Sequence, residues 1–227
     1  MKYLGKLFLS LKEIFIMMIL QYAILILCVL IMGIDKSVIW GSVLLMLFEI
    51  CYIIWKMRRN NFDIRVIKKK FNSKSYFPYI LIGVGIATLY NMILFKLGLG
   101  QEVTTDFSII LNILCSGIVG PTFEELLFRY DFIKRLEGFN TKKWVIVLLA
   151  SIIFGLMHTG ITTIIYATIV GLINSYIYIK DKDIIKPIMV HISGNIFVNL
   201  LVGYNTWALI FSIVLIILGA LIIRCND

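Results

Sequence analysis

The chain has 227 residues, 60% of them hydrophobic and only 15% charged, a balance that excludes a soluble globular domain. Its net charge of +9 crowds into stretches between apolar runs, which carries membrane-topology information and gives no reason to expect a nucleic-acid partner. Four dispersed cysteines without CxxC spacing argue against a disulfide framework or a thiolate metal site.

Taken in chain order, apolar runs of bilayer-spanning length predict helices near 14–34, 38–55, 77–95, 107–128, 144–159, 161–179, 187–203 and 205–223. The fold class is therefore all-α, a polytopic membrane helix bundle of about eight transmembrane helices. The first run follows Lys2, Lys6 and Lys12 like the core of a signal peptide, but it is too long and lacks a small-x-small cleavage site, so a retained helix is expected. Between the second and third runs, Lys56, Arg58, Arg59, Arg65, Lys68, Lys69, Lys70 and Lys74 stand against Asp63. Basic loops resist translocation, so this loop is expected to be cytoplasmic, and eight crossings put both termini on the same side. The expectation is a multi-pass protein of the plasma membrane, with the lipid bilayer as its surroundings and an oligomeric state the sequence does not indicate.

The helices are not equivalent. In the fourth, Asn112, Ser116, Gly120 and Glu124 recur every four residues along one slowly drifting face. Ser151, Gly155 and His158 do the same in the fifth, Thr163, Ala167, Gly171, Asn174 and Tyr178 in the sixth, and His191, Asn195 and Asn199 in the seventh. The first three helices and the eighth carry only isolated polar residues such as Gln21, Glu49 and Asn91. Small residues on such stripes are expected to serve helix packing. An acid or imidazole in hydrocarbon costs a few kcal/mol and is a functional candidate by default. The chain has only two histidines, and both fall on these stripes. The chain accordingly divides into an N-terminal membrane segment (1–104), a candidate catalytic core of helices 4–7 (105–203) and a final membrane helix (204–227).

Around the acids, Pro121 removes a backbone donor and predicts a kink that can admit water. Glu125 and Arg129 are four apart and can pair; Glu124 projects about 100° away. This divides the labour: Glu125 held ionised by Arg129, Glu124 the reactive carboxylate. An interfacial pair snorkelling near a helix end at about residue 128 is the alternative for Glu125 and Arg129. Phe154 lies one turn before His158 and can wall it from lipid. His191 and Asn195 project together from the seventh helix, an imidazole beside an amide suited to a developing oxyanion. Counting about 1.5 Å per residue from the basic ends puts His191 shallow, Glu124 deeper and His158 deeper still, so straight helices over these spans do not meet at one level.

Glu124-Glu125-x-x-x-Arg129, Phe154-x-x-x-His158 and His191-x-x-x-Asn195, in that order on successive apolar helices, resemble the signature of the CAAX protease and bacteriocin-processing family (CPBP, also called Abi). This family of intramembrane endopeptidases includes the CAAX prenyl protease 2 enzymes, and the resemblance covers about residues 105–203. It implies a peptide or protein substrate at the membrane, Glu124 as general base on a water also held by His158, and His191 with Asn195 stabilising the oxyanion. Whether a metal takes part stays open: Glu124, His158 and His191 can supply the two-histidine, one-carboxylate set of a catalytic zinc, whereas Asn195 suits an oxyanion donor better than a zinc ligand. Two other classes stand beside the protease: a bacteriocin self-immunity or regulatory protein of the same fold acting without cleavage, and a proton-coupled transporter, against which the absence of an internal repeat counts.

Overall fold

The computed structural model describes residues 2–59, 73–100, 109–198 and 203–226. Most of the basic stretch after the second helix, the start of the expected fourth span at 107–108, Asn199 and Asp227 lie outside the described residues. Among the described residues eight helices follow one another: α1 (Lys2–Met32), α2 (Ile34–Arg59), α3 (Ser73–Lys96), α4 (Ile109–Glu137), α5 (Lys143–Leu156), α6 (Ile161–Asp181), α7 (Ile185–Val198) and α8 (Thr206–Asn226). No strand occurs among the described residues. The protein is a multi-pass, all-α membrane bundle.

Six of the helices are long and apolar enough to cross a bilayer; α5 and α7, at 14 residues each, are shorter than the spans expected of them. A 14-residue helix rises only about 21 Å against a hydrocarbon core of roughly 30 Å. The expected fifth span is corrected at its end: α5 stops at Leu156, and His158 lies in the turn that follows. Gly160, at φ +82, completes that turn and starts α6 from a backbone conformation side chains rarely adopt. The expected end of the fourth span is corrected in the other direction. α4 runs on to Glu137 and includes two π-helical stretches, Ile113–Val119 and Leu126–Ile133, on either side of a regular segment, Gly120–Glu125, that carries both acids. Pro121 lies just past the first wide stretch, where the Gly120 N–H has already shifted to the Cys115 carbonyl.

These boundaries remove the mismatch in depth. From Glu137 back to Glu124, and from Lys143 forward to His158, the chain covers about 20 Å in each case. The α7 N-terminus begins lower: Asn174, about 10 Å below the end of α6, donates to the Pro187 carbonyl at 3.3 Å. His191, one turn further on, therefore reaches the level of Glu124.

Local chemistry sets the remaining ends. The Asp183 carboxylate accepts from the Ile185 N–H (2.9 Å) at the start of α7, and Asn205 accepts from the Trp207 and Ala208 N–H groups (2.9 and 3.2 Å) to cap α8. Small residues do the packing expected of them. A methyl group built on Gly155 would meet Thr168 Oγ1 at 2.0 Å, so α5 and α6 pack closely as a hairpin. α3 lies along α7 and α8, and α1 pairs with α2. A core of Phe123, Phe128, Phe132, Phe154, Ile146 and Tyr178 gathers around α4, while α1 turns Leu30 and Ile31 outward, as a lipid-facing helix does. At one end of the bundle Lys56 binds Glu13 (2.9 Å) and Asp131, tying α2 to α1 and α4.

Candidate active site

Glu124 and Glu125 are adjacent, yet their surroundings differ completely. The Glu125 side chain is 0% exposed and Glu124 is 32% exposed, so only Glu124 can meet water or a substrate. Arg129 Nε lies 3.2 Å from Glu125 Oε2, and the Arg129 side chain is also fully buried. The alternative of a snorkelling pair at a helix end is thereby corrected: the pair sits inside α4, where its guanidinium lies 4.3 Å over the Phe154 ring and donates to the Gly171 carbonyl at 3.4 Å. The other Glu125 oxygen accepts from Asn174 Nδ2 at 2.9 Å and contacts His191 Nδ1 at 2.9 Å. One buried carboxylate thus joins α4, α6 and α7.

The two imidazoles are held in different ways. A carbonyl only accepts, so the 2.9 Å contact between His158 Nδ1 and the Phe154 carbonyl puts the ring hydrogen on Nδ1 and leaves Nε2 as an acceptor in the neutral ring. His191 has a carboxylate at each nitrogen: Glu125 Oε1 at 2.9 Å from Nδ1 and Glu124 Oε2 at 3.8 Å from Nε2. The shorter contact turns the Nδ1 hydrogen toward Glu125, while Nε2 lies beyond hydrogen-bond distance of Glu124. Phe154 packs edge-on against both rings, at centroid distances of 4.9 Å (His158) and 5.8 Å (His191), and is itself 1% exposed.

Glu124, Phe154, His158, His191 and Asn195 all line one cavity of about 360 Å³. The Asn195 amide donates to the Ser116 carbonyl at 3.0 Å, which fixes its plane. Thr163 and Ala167, from the sixth-helix stripe, form part of the wall. Sequence reasoning assigned no role to Asn174, although its place on that stripe was the available signal. It also left out α2, which contributes Ser42, Leu45, Met46 and Glu49 to the cavity. Those residues recur at helical spacing, a signal that was present.

Among the described residues no three His, Cys, Asp or Glu side chains converge in metal-binding geometry. As arranged, Glu124, His158 and His191 therefore do not form a three-ligand zinc set.

A family model for type II CAAX prenyl endopeptidases, Rce1-like, matches residues 106–197. YdiL of Bacillus subtilis, whose name assigns it provisionally as a membrane peptidase, is 31% identical over 52% of this chain and 50% of its own length. The UPF0177 protein YxdF of Lactococcus lactis is 33% identical over 48% of this chain and 65% of its own length. The chain thus spans between half and two thirds of these two curated relatives. The membrane-embedded CAAX protease MroQ of Staphylococcus aureus is 27% identical over 77% of this chain and 78% of its own length. No solved structure matches the chain at a significant level. Residues 106–197, with their buried acid pair and the two histidine segments that meet it, are thus similar to the Rce1-like type II CAAX prenyl endopeptidases.

Proposed function

We propose that the protein is an intramembrane endopeptidase that hydrolyses a peptide bond of a membrane-associated, prenylated or secreted peptide. The observation that carries this reading is the single cavity in which a partly exposed glutamate, two differently held imidazoles and an oriented amide face one another. Peptide hydrolysis needs an activated water on one side of the carbonyl and hydrogen-bond donors on the other. Glu124 is the group that can take the proton of a water, and His158 Nε2, left as an acceptor, holds that water. The Asn195 amide, and His191 Nε2 when both ring nitrogens carry hydrogen, are the donors for the oxyanion. Glu125, Arg129 and Asn174 touch no substrate in this scheme; they fix the His191 ring. No step is routed through a metal. The test is comparative membrane peptidomics of cells carrying the wild type and Glu124→Gln: peptides that appear only with the wild type support hydrolysis, and identical peptidomes overturn it.

Asn195→Ala should lower turnover by about 10²- to 10³-fold, the loss for one removed oxyanion donor. Elemental analysis of purified wild type, Asn195→Ala and His158→Ala checks the metal question in the same preparations. Stoichiometric zinc that disappears only in His158→Ala recasts the histidines as ligands; an active, metal-free wild type supports the glutamate-activated water.

The same proposal sets the protein in the plasma membrane with both termini cytoplasmic. Reporters fused after Asp63 and at Asp227 should both report cytoplasm, because the basic segment beside the first resists export. An external signal at either position breaks this topology.

A further inference from the structure

Glu49 lies on α2, outside the segment that matches the family, and its side chain is 9% exposed. Every other buried acid described has a cation: Glu125 has Arg129, and Asp131 has Lys56. Among the described residues no Lys or Arg lies within ion-pair distance of Glu49. Its bond is to a neutral amide, with Gln21 Nε2 of α1 donating to Glu49 Oε1 at 2.9 Å. The other oxygen faces α4: a methyl group built on Gly120 would lie 3.9 Å from Glu49 Oε2. Gly120 is one turn before Glu124 on the same face, and Glu49 and Glu124 line the same cavity. The placement is rigid, because Phe48 and Tyr52, on either side of Glu49, both pack on Phe123 at ring distances of 6.5 and 5.0 Å. The other titratable groups lining the cavity are His158, His191, Cys115 and Tyr166, from the turn, α7, α4 and α6.

Two carboxyl groups lining one cavity inside the bundle, with no Lys or Arg among its lining residues, are cheapest when they hold a single proton in common. We propose that Glu49 is a second acid of the site, sharing one proton with Glu124 and delivering it to the departing amine of the substrate. This rests on the hydrolytic reading above. In the first half of the reaction the Glu124 carboxylate takes a proton from water, the hydroxide oxygen bonds to the carbonyl carbon, and the π pair moves to the oxygen. In the second half the C=O bond re-forms and the C–N bond breaks with its electron pair going to nitrogen, which takes the proton of Glu49. The proton left on Glu124 then passes to the Glu49 carboxylate and restores the pair.

Glu49→Gln keeps the shape and the bond from Gln21 but has no proton to give. Peptides whose appearance depends on Glu124 should fall at least about 100-fold in this variant, the lower end for a positioned acid, while its thermal melting in detergent stays at the wild-type value. Glu49→Asp retains a carboxyl group and loses the reach to Gln21, so it should cleave better than Glu49→Gln and melt lower. A merely structural Glu49 gives the opposite order of activity. Infrared spectroscopy of the purified protein reads the proton without any substrate. A carboxylic-acid C=O band should be present in the wild type at neutral pH and absent in Glu49→Gln. Wild-type cleavage by Glu49→Gln overturns the proposal, as does a band missing from the wild type or unchanged in the variant. If no peptide depends on Glu124, hydrolysis itself is wrong, and the infrared result still decides whether the pair shares a proton.

Discussion

Glu124→Gln is expected to insert and accumulate like the wild type and to lose hydrolysis by about 10²- to 10⁴-fold, the range for removing a positioned general base. The amide is nearly isosteric with the carboxylate and can still hydrogen-bond to a water, but it cannot take its proton. Stability should be spared because Glu124 is 32% exposed and its contact with His191 Nε2, at 3.8 Å, is longer than a hydrogen bond. The adjacent position gives the contrast. Glu125→Gln removes a fully buried charge on which Arg129, Asn174 and His191 converge, so it should lower both stability and turnover. The measurement is turnover and detergent melting for both variants side by side. Wild-type turnover in Glu124→Gln removes this residue from the mechanism, whatever the neighbour does.

The ease of reading this chain varied with how local each feature is. Eight apolar runs were legible from their hydropathy, although two of them, α5 and α7, are shorter than the full spans expected. Glu124, His158, His191 and Asn195 stood out because imidazoles and acids are expensive in hydrocarbon, and the structure brings all four to one cavity. The end of α5 was not legible: Met157 continues the apolar run, and only the Gly160 backbone at φ +82 marks the turn. The π-helical stretches of α4 were equally hidden, since a shift from i→i−4 to i→i−5 bonding leaves hydropathy unchanged. Glu49 was read as an isolated polar residue because its significance depends on α2 docking against α4 through Phe123, a contact far apart in sequence. Asn174 was visible on its stripe, but the partner that gives it a role, Glu125, was assigned to Arg129 alone.

The largest loss of stability is expected from Arg129→Ala. Arg129 and Glu125 are each 0% exposed, and removing one partner of a buried pair typically costs about 3–5 kcal/mol because the other charge is left without compensation. The truncation also empties the space over the Phe154 ring, where the guanidinium sits at 4.3 Å, and releases the Gly171 carbonyl. The Asn174 and His191 bonds to Glu125 remain, so some of the carboxylate's polarity stays satisfied. A double variant separates charge from packing. Glu125→Leu with Arg129→Met removes both charges and keeps apolar volume, which is often neutral for stability. It should therefore melt close to the wild type while still losing turnover, because the His191 ring no longer has a carboxylate to orient it. The checks are expression level and melting temperature in one detergent, with turnover on the same samples. Arg129→Ala melting like the wild type contradicts a structural ion pair at the centre of α4, and a fully active double variant shows that His191 keeps its orientation without Glu125.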